Sequence, residues 1–136
     1  MSRVINYQSS GKQRTQLTKA IVVALRELAR QKSVTDEARD LAAFISLALQ
    51  AIAAGIDSTV AAWERRDYWV KADKFRMEWA WAQPTANEMR QAVLSEDWAT
   101  IARLAAHIAQ KLSKVRVSEN ARSGKPWKGA FQELRK

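Results

Sequence analysis

The sequence predicts an all-α protein: an up-and-down four-helix bundle with an irregular N-terminal arm and a basic C-terminal tail. Three observations carry that expectation. Apolar residues make up 47% of the 136, enough to build a core. Only four Gly and two Pro are present, too few turn residues for a β-sandwich or barrel. Apolar positions recur at spacings of three and four along most of the chain, the period of an amphipathic helix. The length sets a prior of one domain, with expected boundaries at 1–11 for the arm, 12–116 for the bundle and 117–136 for the tail.

The first helix is expected from Lys12 to Gln31, after a Ser9-Ser10-Gly11 hinge, with Leu17, Ile21, Ala24 and Leu28 along one face. Lys32-Ser-Val-Thr35 reads as a connection in which Thr35 caps the next helix. Asp36 and Glu37 follow in its first turn, where the helix dipole favours acids. The second helix, Asp36 to Arg65, is apolar nearly all round between Leu41 and Ile56. It is either central to its bundle or covered by another subunit, so a protein partner or homo-oligomer is expected. That apolar run is interrupted by Ser46, Gln50 and Gly55 and falls short of the roughly 20 residues a bilayer requires, so no membrane contact is expected.

The third helix is expected from Asp67 to Trp81. Tyr68, Ala72, Phe75, Trp79 and Ala82 mark a seam every 3.5 residues, and Gln83-Pro84-Thr85 ends it. A last helical region starts near Thr85, pauses at Ser95-Glu96 and carries the seam Trp98, Ile101, Ala105, Ile108, Leu112 and Val115. Beyond Arg116 the pattern stops and an extended tail follows, with a docked turn at Ala130 to Leu134.

Charge is distributed unevenly. The chain has a net charge of +9, with +6 in residues 1–34, −2 in 35–66, −1 in 67–96 and +6 in 97–136. In an up-down bundle the first and last helices are commonly neighbours, so their basic stripes are expected to merge into one face that attracts polyanions. The residues expected to contact nucleic-acid phosphates are Lys12, Arg14 and Lys19 at the front and Lys111, Lys114, Arg116, Arg122, Lys125 and Lys128 at the back. Trp127, between Lys125 and Lys128, is placed to stack on an unpaired base, or alternatively to dock the tail onto the bundle.

Catalytic chemistry finds little material. The absence of Cys excludes a disulfide scaffold, a thiolate zinc site, an iron–sulfur cluster and a cysteine nucleophile. The single His107 stands four residues after Arg103, closer than the Arg–His motif of HEPN-type ribonucleases requires. It shares a polar stripe with Thr100, Gln110 and Lys114. Glu37-x-x-Asp40 and Glu64-x-x-Asp67 have the spacing of magnesium-holding pairs, but Arg39, Arg65 and Arg66 oppose a cation there. Asp73, on an apolar-flanked stripe, is expected to be partly buried against Arg39 or Arg76. Of six tryptophans, Trp79 and Trp98 belong to core seams, while Trp69 and Trp81 lie off the seam and are expected to cover an oligomer contact.

The expected function is therefore that of a non-enzymatic, cytoplasmic subunit without metal or cofactor, binding nucleic-acid backbone or scaffolding a larger assembly. The alternatives are an interaction module for an acidic protein and a magnesium-dependent enzyme acting on phosphorylated small molecules. In size, charge and helix content the chain resembles the small helical subunits of CRISPR effector complexes and the basic four-helix accessory proteins of diversity-generating retroelements. The resemblance is one of architecture, and no site residue is carried over from it.

Overall fold

The computed structural model describes residues 10–118 and 124–136, and no strand occurs among them. Six helices follow one another: α1 (Ser10–Arg30), α2 (Asp36–Arg65), α3 (Trp69–Glu78), α4 (Ala82–Leu94), α5 (Trp98–Lys111) and α6 (Ala130–Arg135). Ser10 and Gly11, expected to end the arm, belong to the first turn of α1; the rest of the arm lies outside the described residues.

The second helix has the expected bounds, and its start is explained locally. The Thr35 hydroxyl accepts the Ala38 N–H at 3.0 Å, satisfying one of the amide groups that a helix start leaves without a partner. Its apolar girth then makes it the central element, packed by α1, α3, α4 and α6. Leu41, Ile45, Leu49 and Ile52 are fully or almost fully buried and meet Ile21 of α1 and Met89 and Val93 of α4 in one cluster. Burial of each such side chain contributes about 1.5–3 kcal/mol. Ser46, the polar residue inside this run, donates its hydroxyl to the Ala86 carbonyl at 2.9 Å. By length and composition α2 is also apolar enough to cross a membrane, but 56% of its most apolar stretch is buried within the protein.

Two expectations about the middle of the chain are corrected. The seam from Tyr68 to Ala82 does not run through one helix, because the chain turns at Trp79–Trp81. Trp79 and Trp81 stack there at 5.8 Å between ring centroids, an arrangement that holds the turn. Pro84 is not the breaker either. It sits in the first turn of α4, where its missing N–H leaves no intrahelical bond unmade. The pause at Ser95-Glu96 is a full break, with Glu96 in the left-handed region at φ 53° and Asp97 capping α5 by accepting the Thr100 N–H at 3.2 Å. Arg39 fastens that turn to α2, bonding Glu96 at 2.9 Å and Asp36 at 3.0 Å.

Packing is uneven around the body. The α1–α5 seam is sparse, and it opens into an apolar groove of about 480 Å³. Leu25 and Leu28 form one wall, and Trp98, Ala102, Ala106 and Ala109 form the other. The indole Nε1 of Trp98 is buried and has no hydrogen-bond partner among the described residues. At the far end of α2, α3 packs inward through Ala72 and Phe75, whose ring lies 5.1 Å from that of Trp63, and turns Trp69, Val70 and Met77 outward.

Candidate polyanion-binding face

One segment from each basic quarter of the chain meets the other at Arg26. After α5 the segment 112–118 alternates: Leu112 is buried and Val115 and Val117 pack against the core, while Lys111, Lys114 and Arg116 are exposed. Arg26 of α1 holds this segment. Its guanidinium donates to the carbonyls of Val117 and Ser118, each at 2.8 Å. A segment bearing Lys114 and Arg116 is thereby fixed against the helix that carries Lys12 and Lys19, both exposed. Bonds from a guanidinium to neutral carbonyls do not themselves neutralise its positive charge.

The other expected contacts sort differently. Arg14 is half-buried, with its guanidinium 4.9 Å from the centre of the Phe75 ring. Arg122 lies outside the described residues. Lys125 is committed to Glu37 at 3.3 Å, while Lys128 is exposed.

Trp127 is not available to stack on a base. It is 5% exposed, sits in the core cluster and donates its indole N–H to Glu37 Oε2 at 3.2 Å. The docking alternative describes it instead. Asp40 completes the latch by accepting the N–H of Gly129 at 3.0 Å and of Phe131 at 2.9 Å. Gly129 adopts φ 82°, a conformation that favours glycine, and this directs its N–H toward the carboxylate as α6 begins. Ala130 and Leu134 are then buried against α2. The Trp127 indole and the Lys125 ammonium both donate to the Glu37 carboxylate and hold its pKa below the ordinary 4.5.

The acidic pairs are thus engaged in structure. Glu37 and Asp40 latch the tail, and Glu64 pairs with Arg76, which also holds Asp73. Asp73 is exposed rather than partly buried, because it points from the outer face of α3. Among the described residues no three His, Asp or Glu side chains cluster as metal ligands. His107 is half-buried with its ring edge-on to Trp81 at 6.3 Å, not fully solvated, and Arg103 lies 3.7 Å from Glu88. The two tryptophans expected at an interface part company: Trp69 is 54% exposed, while Trp81 packs between Trp79 and His107.

Sequence reasoning missed Arg26, the residue that joins the two basic segments. Its partners lie 91 and 92 residues away and are backbone carbonyls, which no residue type advertises. No family model, curated protein or solved structure matches the chain.

Proposed function

We propose that the protein is a non-enzymatic helical subunit that contacts nucleic-acid phosphates through Lys12, Lys19, Lys111, Lys114 and Arg116. The observation that supports this reading is the Arg26 clamp, which ties the segment bearing Lys114 and Arg116 to the helix that carries Lys12 and Lys19. A face of this kind raises the local concentration of a polyanion, and each phosphate neutralised releases counterions. We also infer an up-and-down four-helix arrangement of α1, α2, α4 and α5. Its support is the opposed run of α2 and α4, in which Arg39 reaches Glu96 while Ser46 reaches Ala86.

Fluorescence anisotropy with labelled single-stranded RNA and duplex DNA across a salt series tests the first reading. Binding is expected to fall steeply with salt. The Lys111→Ala/Lys114→Ala/Arg116→Ala variant is expected to lower the slope of log affinity against log salt by about 0.7 per lost phosphate on a single strand. Absence of binding at low salt, or binding that this variant leaves unchanged, overturns the reading.

A further inference from the structure

Contact with a nucleic-acid base needs an exposed aromatic ring, and the buried Trp127 does not supply one. Among the described residues the exposed aromatic side chains are Tyr68 at 50% and Trp69 at 54%. These adjacent residues stand at the turn from α2 into α3 and, with Asp67, Val70 and Lys71, line an open hollow. Their backbone is fixed: the Tyr68 N–H donates to the Trp63 carbonyl at 2.9 Å, and the Tyr68 carbonyl accepts the Ala72 N–H at 3.0 Å. An ordered backbone lowers the entropy lost when a ligand settles on the rings.

Cations flank the pair in sequence. Arg65 and Arg66 are exposed and make no ion pair among the described residues. Lys71 lies over the Trp63 ring at 4.5 Å, a contact that leaves its charge in place. Of the nearby acids, Glu64 and Asp73 are both tied to Arg76, and Asp67 lines the hollow. Residues 65–71 carry a net charge of +2. The turn also belongs to the end of the molecule where α1 begins, because the Arg14 guanidinium lies 4.9 Å from the centre of the Phe75 ring of α3. The exposed Lys12 stands two residues before Arg14.

We propose that Tyr68 and Trp69 form a stacking platform for unpaired bases, with Arg65 and Arg66 on the neighbouring phosphates, so that a single strand is preferred to a duplex. This rests on the reading of nucleic acid as the partner and adds what that reading lacks, a contact to the bases. Every base has a π-face, so stacking tolerates any sequence, whereas the bases of a duplex are already stacked on one another. Asp67 opposes a phosphate in the hollow itself but accepts the N–H donors of a base edge, which suits the hollow to a base and the flanking arginines to the backbone.

Anisotropy titrations of the full chain with labelled single-stranded RNA, an abasic single strand of the same length and duplex DNA test the proposal across a salt series. Tyr68→Ala/Trp69→Ala is expected to weaken RNA binding by about 5- to 100-fold. It is expected to leave the salt slope, and the affinities for the abasic strand and the duplex, at their wild-type values. Arg65→Gln/Arg66→Gln is expected to weaken RNA binding and to lower the salt slope as well. Trp69→Phe keeps a ring at the position and is expected to retain most of the affinity. Both side chains are half exposed, so the melting temperature of the double alanine variant is expected to stay close to that of the wild type. A double alanine variant that binds RNA as tightly as the wild type, with the salt slope still steep, overturns the platform and leaves the phosphate reading standing. An equal loss on the abasic strand and the duplex overturns it too. Absence of any binding at low salt overturns both readings. Binding to anionic phospholipid vesicles that the double alanine variant loses, with RNA affinity intact, gives the rings to a lipid surface and overturns the proposal.

Discussion

The two ends of α2 handle tryptophan in opposite ways. At its N-terminal end Trp127 arrives from 90 residues away and is 5% exposed; at its C-terminal end Trp69 follows within four residues and is 54% exposed. Ring size is the same, so apolar area alone does not decide which is buried. The difference is polar. Around Trp127, Glu37 accepts the indole N–H and Asp40 accepts the amides of Gly129 and Phe131, so a buried turn finds its hydrogen bonds. Around Trp69, Tyr68 offers no side-chain cap, and α3 spends its inward face on Ala72 and Phe75. Satisfying the polar groups that accompany an aromatic ring lowers the cost of burying it.

Removing the buried ring should break this contrast most severely. Trp127→Ala is expected to lower stability by about 3 kcal/mol, within the range for core Trp truncations. Hydrogen exchange should show α6 losing protection while α1, α2 and α4 retain theirs. Unchanged protection in α6 would mean that Leu134 and the Asp40 bonds hold the tail without the indole.

Acid should produce a smaller effect at the same place. The folded pKa of Glu37 lies below its ordinary 4.5, so its stabilising contribution is complete above that value. It is lost as pH falls from 4.5 through the lowered folded pKa. Asp97 is lowered too, by the Thr100 hydroxyl and amide, and weakens the start of α5 in a corresponding acidic window below its ordinary 3.8. Glu37→Gln separates the two, and is expected to remove the acid-dependent loosening of α6 and leave that of α5.

The smallest effect is expected at the other end of α2. Trp69→Ala should change stability by no more than about 0.5 kcal/mol, since the ring lies largely outside the core. Urea unfolding at a concentration where the chain is monomeric measures it. A loss comparable with that of Trp127→Ala would erase the distinction between the two ends.

What could be read from the residues was what neighbours in sequence decide. The start of α2 is written in the three consecutive positions Thr35, Asp36 and Glu37, and the structure reproduces both expected bounds of Asp36–Arg65. The α3–α4 turn was hidden because Tyr68, Ala72, Phe75, Trp79 and Ala82 keep heptad spacing across it. Periodicity records which residues face inward, and a stacked Trp79–Trp81 pair faces inward equally well from a turn. Pro84 misled for a related reason: a proline is a breaker or a first-turn residue according to where the helix starts, and the turn at Trp79–Trp81 sets that start. The basic segments were legible from charge alone. Arg26, which joins them, was not, because its partners are carbonyls from a segment remote in sequence.

The latch and the clamp also set an order of events during synthesis. Glu37 with Trp127, Asp40 with Phe131 and Arg26 with Ser118 are pairs separated by 90, 91 and 92 residues. While the chain grows, the early turns of α2 present two carboxylates and an apolar flank whose covering residues have not yet been made. α1 and α2 can pair as soon as both have emerged, but closure of this flank waits for residues 127–134. Contacts of such long range are late and slow to form. The nascent chain therefore passes through a stage in which its central helix is open along one side, and the stretch from Trp127 to Leu134 acts as the closing stitch.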